Sequence, residues 1–228
     1  MLLSNALEKK VMKKLKLLVF DWDGTLENSL ENIYLCKKTI AGKYNVTPPT
    51  REVVSRVLGM SFDSAMSICF PHVNQEQLKT LKNEFQLSIQ SEKFKSNLYV
   101  GAREIIATLK NKGLFLVIAT SKSRSALNAS MRVNEVDYLF DMTCCGEEFE
   151  NKPKPKMLHH IMEKFNVNHD EVLMIGDTVT DVLFAKNADI KTICVTWGAQ
   201  TKDVLNTAKP CKIVDSFKQL EGILETLC

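Results

Sequence analysis

No apolar run in the 228-residue sequence approaches the roughly 20 residues that a membrane-spanning helix needs, so no membrane association is expected. No Cys-x-x-Cys occurs, and the seven cysteines are an odd number in mostly apolar surroundings. That excludes a disulfide framework and a zinc site, and points to buried thiols in a reducing compartment, with the cytoplasm as the expected location. The adjacent Cys144 and Cys145 are expected to pack at a strand end. Net charge is small: 30 basic against 27 acidic residues leave +3, and no stripe of Lys and Arg with interleaved aromatics is present. Nucleic acid is therefore not an expected partner. The basic stretch from Glu8 to Lys16 precedes only a handful of apolar residues and has no small-residue cleavage site. It reads as a frayed or amphipathic extension and not as a signal peptide. Histidine is scarce too, and the helix neighbours His159 and His160 face different ways, as surface residues do.

What is present begins with 45% hydrophobic and 25% charged residues, the balance of a soluble globular protein. The length suits one domain plus a moderate insertion. Leu15 to Leu26 is the stretch around which the rest is organised. Its apolar run reads as a buried strand and stops at Asp21 and Asp23, with Gly24 permitting a sharp turn. An ordinary strand followed by an Asp-Gly turn has the same appearance. Matching charges at the ends of later strands decide between the two readings, because buried carboxylates need a cation or donors.

After Leu26 the period becomes helical. One helix carries Leu30, Ile33, Tyr34, Lys37 and Ile40, with Asn28 or Ser29 as N-cap, and ends near Gly42 and Pro48-Pro49. Thr50 caps a second helix with Gly59 at its C-terminal side; a third spans Ser61 to Cys69, and a fourth about Gln75 to Phe94. These roughly seventy residues without a strand look like an insertion. From Leu98 onward helices and short apolar strands alternate. The helices are Ala102 to Asn111, Ser123 to Arg132, Lys156 to Phe165, Val179 to Lys186 and Phe217 to Thr226. The strands are Leu114 to Ala119, Tyr138 to Thr143, Val172 to Ile175, Thr192 to Val195 and Lys212 to Val214. The rhythm predicts an α/β fold with a doubly wound, mostly parallel sheet and an inserted helical unit.

In such sheets ligands bind at the carboxyl ends of the strands. Those ends deliver Asp21 and Asp23, then Thr120 and Ser121, then Asp177 and Asp181, with Lys152 just before a helix. Oxygen donors without His or Cys suit a hard cation such as Mg²⁺, and the ammonium and hydroxyls suit a phosphoryl group.

Four segments in order resemble the motifs of haloacid dehalogenase superfamily phosphatases, close in pattern to phosphoglycolate phosphatases. They are Asp21 to Leu26, Thr120 after its strand, Lys152 to Pro155, and Gly176 to Asp181; Thr196-Trp197-Gly198 is similar as well. Asn28-Ser29 stands where many relatives have Asp-Ser, and Asp189 where a Gly is common.

The resemblance implies that Asp21 is the nucleophile, forming an aspartyl-phosphate, and that Asp23 is the general acid and base, with a carboxyl raised above the ordinary range. It implies Mg²⁺ held by the Asp21 carboxylate, the Asp23 backbone carbonyl and Asp177, with Asp181 behind them. Thr120, with Ser121, and Lys152 would bind the phosphoryl group. Residues 14–27 and 98–228 would form the core and 28–97 a cap, whose substrate-facing candidates are Arg56, Gly59 and Ser61. The implied activity is Mg²⁺-dependent hydrolysis of a small phosphorylated metabolite by a monomer or weak homodimer. Phosphoglycolate or a sugar phosphate heads the candidates. The alternatives are a phosphoglucomutase-like transferase, a pyrophosphatase or nucleotidase, a phosphonate hydrolase using Lys37 or Lys38, and a non-catalytic phosphate-binding module.

Overall fold

The computed structural model describes residues 15–227. The basic extension ahead of Leu15, residue 14 at the expected core boundary and Cys228 lie outside the described residues. Six strands, β1 (Leu17–Phe20), β2 (Phe115–Thr120), β3 (Met142–Cys145), β4 (Val172–Gly176), β5 (Lys191–Val195) and β6 (Lys212–Val214), form one sheet in the order β3-β2-β1-β4-β5-β6. Every pairing is parallel.

Because side chains alternate across a strand, each strand feeds two cores. Leu18, Phe20, Leu116, Ile118, Leu173 and Ile175 pack on one face with α5 (Ala102–Asn111), α6 (Arg124–Val133) and α10 (Phe217–Leu227). Leu17, Val19, Val117, Ala119, Val172 and Met174 pack on the other with α7 (Lys156–Phe165) and α8 (Val179–Lys186). All four β1 side chains are inaccessible to solvent, which at about 1.5–3 kcal/mol each makes this short central strand a large share of the sheet's stability.

Between β1 and β2 come α1 (Leu30–Lys43), α2 (Arg51–Val57), α3 (Phe62–Cys69) and α4 (Gln75–Ser88), which pack around a separate core containing Ile40, Val54, Met66, Leu81 and Phe94. The chain crosses into and out of this unit through two backbone segments that pair with each other. Asn28 N–H donates to Asn97 O and Tyr99 N–H to Leu26 O, each at 2.9 Å. Thr50 and Ser61 cap α2 and α3 by accepting from Val53 and Ser64 N–H.

Three elements differ from the sequence reading. The fourth helix stops at Ser88, where the Ser91 hydroxyl takes the Ser88 carbonyl at 2.6 Å, and a separate short turn covers Glu92–Phe94. β3 starts at Met142 and not at Tyr138, because the Asp141 carboxylate accepts the Leu116 N–H at 2.8 Å and closes the strand edge before pairing begins. A short helix α9 (Lys202–Thr207) follows β5, with only Leu205 buried. Cys144 and Cys145 are buried on opposite sides of the sheet, and burial pushes both thiols up to about 12. His159 and His160 are exposed. Among the described residues no helix is long and apolar enough to cross a membrane.

Candidate active site

The sheet register sets the site. Phe20 pairs with Ile118 on one side and Ile175 on the other, so Asp21, Thr120 and Asp177 emerge at one edge of three adjacent strands. Gly24 turns the chain there with φ +84, and a Cβ at that position would lie 2.2 Å from Asp177 Oδ2. Only glycine fits both the left-handed backbone and the approach of that carboxylate.

Oxygens of Asp21, Asp177 and Asp181 lie within 4.8 Å of one another, and all three side chains are buried. Lys152, also buried, donates to Asp21 Oδ1 and to Asp181 Oδ1, each at 2.8 Å. Asp181 Oδ2 accepts from the Thr178 N–H at 3.1 Å and hydroxyl at 2.6 Å. Both Asp181 oxygens are thus engaged, which suits a residue that anchors the lysine behind the ligands. Asp177 accepts from the Thr25 hydroxyl at 3.0 Å and the Ala199 N–H at 2.7 Å, one donor per oxygen, leaving lone pairs free. Asp21 Oδ2 is buried with no hydrogen-bond partner.

Three carboxylates against one ammonium leave two negative charges uncompensated in a dry space. Burial pushes the Asp21 carboxyl up to about 7 in spite of Lys152, with Asp181 adding to the rise. Asp177 is held well above the ordinary carboxylate range by burial and by the charges of Asp21 and Asp181. Burial alone would lower Lys152, yet Asp181 and Asp21 hold it well above its ordinary value. Oxygen donors only, a twofold charge deficit and an orphaned buried oxygen fit a small divalent cation.

Asp23 corrects the sequence expectation. Its side chain turns away from the triad and accepts from Lys122 Nζ at 2.7 Å, while Lys122 also reaches Glu27 at 3.1 Å. Burial would raise the Asp23 carboxyl, but the Lys122 charge and hydrogen bond prevail and hold it below the ordinary range. The elevated carboxyl is the neighbouring Glu27, which is buried and accepts from the Ser130 hydroxyl, itself held by Trp22 Nε1 at 3.1 Å. Lys122 was legible as a cation two residues beyond Thr120. Glu27 had no signal, since its chemistry depends on a lysine nearly a hundred positions away.

Thr120 is buried, and its Oγ1 accepts the Lys122 N–H at 3.1 Å, leaving the hydroxyl proton free. The Ser121 hydroxyl is committed to the Gly59 carbonyl at 2.9 Å and so ties the helical unit to the core. Gly59 has φ +83, and a Cβ there would meet Thr178 Oγ1 at 2.9 Å. Ser55 makes a second tie, to the Ala199 carbonyl.

A cavity of about 520 Å³ lies between the two units, with Ile33, Val57 and Phe62 on the helical side and Asp23, Ser121 and Lys122 on the core side. Gly59 and Ser61 line it, whereas Arg56 is exposed on α2 and outside the lining. Asp21, Thr120 and Lys152 are buried and outside the lining, which includes Asp23, Ser121, Lys122 and Asn151, their neighbours along the chain.

Residues 18–195 match the family model described as haloacid dehalogenase-like hydrolase. A phosphoglycolate phosphatase of Pasteurella multocida is 28% identical, over 94% of this chain and all of its own length. A pyrophosphatase, PpaX, of Bacillus mycoides is 27% identical, over 94% of this chain and 99% of its own. A solved structure described as a predicted phosphoglycolate phosphatase from Haemophilus somnus superposes with a TM-score of 0.85 at 24% identity, over 92% of this chain and 97% of that one. At that identity the likeness shows the fold.

Proposed function

The chain belongs to the haloacid dehalogenase-like hydrolase family, and from that premise we propose that it hydrolyses small phosphate monoesters with the help of a divalent cation, Mg²⁺ above all. The observation that carries the reading is Asp21 Oδ2, a buried carboxylate oxygen left without a partner beside a lysine and two further carboxylates. Asp21, Asp177 and the Asp23 carbonyl would hold the cation, which would supply charge neutralisation and orientation for the phosphate.

Asp21 attacks phosphorus, the ester P–O bond breaks, and an aspartyl-phosphate forms on its side chain. Asp23 gives a proton to the departing alkoxide and later takes one from the water that releases phosphate. Since Lys122 holds Asp23 ionised, loosening of that ion pair belongs to the cycle. Lys152 fixes the Asp21 carboxylate and faces the charge that develops on the transferred group, and the free Thr120 hydroxyl proton is available to a phosphoryl oxygen. Residues 28–97 act as a cap; the paired crossings at Asn28 and Asn97 and the Ser121–Gly59 tie support a unit that closes over the site.

Phosphoglycolate and sugar phosphates are the foremost substrates, in keeping with the names of similar proteins. The similar pyrophosphatase supports a second reading in which the leaving group is itself phosphate. Hydrolysis of p-nitrophenyl phosphate tests the common core: it should need Mg²⁺, stop with EDTA, and fall by roughly 10⁴-fold or more in Asp21→Asn. Metal-independent turnover, or an active Asp21→Asn, removes the reading.

A further inference from the structure

Four lysines line the cavity between the helical unit and the core: Lys37, Lys82, Lys95 and Lys122. Three of them have carboxylate partners. Lys82 pairs with Asp63 at 2.7 Å, Lys95 with Glu92 at 3.3 Å, and Lys122 with Asp23 at 2.7 Å. Lys37, on α1, is the most buried of the four at 3% exposed, and among the described residues it has no carboxylate partner. Its Nζ has only the Met66 thioether at 3.0 Å and the face of Phe85, 4.5 Å from the ring centre. A thioether is a weak acceptor and an aromatic face a partial substitute for an anion.

A buried ammonium without an anion is costly to fold, and burial holds Lys37 below its ordinary pKa. Its neighbours Ile33, Ala65 and Phe62 line the same wall, so packing alone called for another apolar side chain there. The opposite wall carries Asp23, Ser121 and Lys122, each within two residues of Asp21 or Thr120.

We infer that Lys37 is the specificity-determining cation of this cavity, receiving a second anionic group carried by the leaving group of the phosphoester, a carboxylate or a further phosphate. The inference rests on the phosphatase reading above. A substrate bridging the cavity would have its scissile phosphate at the acidic cluster and its second anion at Lys37, completing the one cation there that the protein leaves unpaired. A neutral leaving group would bind among the same apolar side chains without that gain.

The test compares catalytic efficiency on two kinds of ester in the full-length chain with Mg²⁺. Phosphoglycolate and pyrophosphate carry the second anion as carboxylate and as phosphate; ethyl phosphate and p-nitrophenyl phosphate carry none. In Lys37→Met, which suits the apolar surroundings, kcat/KM for at least one anionic substrate should fall by about 30-fold or more, while the neutral esters change by less than about threefold. The anionic substrate that falls identifies the chemistry recognised. Lys37→Arg, keeping the charge, should recover much of the loss, and it also serves if Lys37→Met folds poorly. Equal losses on all four substrates, or none on any, overturn the inference while leaving the phosphatase reading intact. A covalent adduct at Lys37 after borohydride treatment with phosphonoacetaldehyde also overturns it, in favour of an imine-forming amine. Failure of the wild type to hydrolyse any ester overturns both readings.

Discussion

Adding Mg²⁺ to the metal-free protein should raise its melting temperature, and the size of the rise follows from the buried charges. Asp21, Asp177 and Asp181 sit within 4.8 Å of one another against the single ammonium of Lys152. The folded state alone presents this cluster, so the ion binds the native chain and not the unfolded one. At a Mg²⁺ concentration 100-fold above its dissociation constant, the stabilisation is about 2.7 kcal/mol. For a chain of this length each kcal/mol moves the midpoint by about 2–4 °C, giving a rise of about 5–11 °C. The rise should also depend on pH. Burial lifts Asp21 to about 7 and raises Asp177, so the metal-free native state holds protons that the unfolded state has released. These two groups therefore make the metal-free protein less stable as pH rises from the ordinary carboxyl value of 3.8 to about 7. Mg²⁺ displaces those protons, so its stabilising effect should grow over the same window. Scanning calorimetry with and without Mg²⁺ at pH 5, 6, 7 and 8 measures both effects, with Asp177→Asn as the control in which the rise drops below about 2 °C. An unchanged midpoint at every pH, or an equal rise in Asp177→Asn, would refute the charge argument.

Two further substitutions separate the ion pair at Lys122 from the contact at Gly59. Lys122→Met leaves Asp23 and Glu27 facing each other without a cation, which at neutral pH should cost roughly 3 kcal/mol by denaturant titration. Because Lys122 is what holds Asp23 low, the limb of the kcat–pH profile that belongs to Asp23 should move to higher pH in the same variant; an unmoved limb rules out Asp23 as the titrating acid. Gly59→Ala meets a left-handed backbone and a Thr178 hydroxyl 2.9 Å from the new Cβ, so the tie between the helical unit and the core should weaken by about 1–2 kcal/mol. That predicts KM raised about 5- to 30-fold with a melting temperature lowered by only a few degrees. A large loss of stability with KM unchanged would mean that Gly59 serves the fold and not closure.

The sheet was legible because burial on both faces leaves unbroken apolar runs, and Leu17–Phe20, Phe115–Thr120 and Val172–Gly176 are such runs ending at the residues of the site. Helices α5, α7 and α8 were legible to the residue, α5 and α7 from strong apolar periodicity bounded by Gly113 and Pro155, and α8 from its position after the fourth motif, where Thr178 starts it with a capping box. β3 was displaced because Tyr138 and Phe140 have strand composition, whereas the edge is set by Asp141 bonding to β2, a contact between distant parts of the chain. The same distinction holds in the site. Asp21, Lys152, Asp177 and Asp181 follow from strand ends and motif spacing. The partners that tune them do not: Lys122 on Asp23, Thr25 and Ala199 on Asp177, and the Ser121 bond to Gly59 are all made across the fold. Local pattern therefore picked out the carboxylates and the lysine that cluster, and tertiary contacts decide which of them is charged.

That charge distribution explains why the proposed nucleophile and the proposed cation have to be considered together. Asp21 and Asp181 share Lys152 with Asp177 beside them, and Asp23 and Glu27 share Lys122, so five carboxylates stand against two ammonium groups. Two unit charges 4 Å apart repel by about 4 kcal/mol even at an effective dielectric of 20, so a phosphate dianion meets a prohibitive field if all five are ionised. Protonation of Asp21 and Asp177 relieves the field, since both lie above their ordinary values, but a protonated Asp21 has lost its nucleophilic lone pair. Raising the pH restores the nucleophile and the repulsion together. Of the available remedies only a divalent cation keeps Asp21 ionised while admitting the dianion, and the buried, unpartnered Asp21 Oδ2 would supply a lone pair to it. Activity lost to a chelator should therefore stay lost at alkaline pH, because the deprotonated carboxylate regained there faces a substrate that the same negative charge excludes.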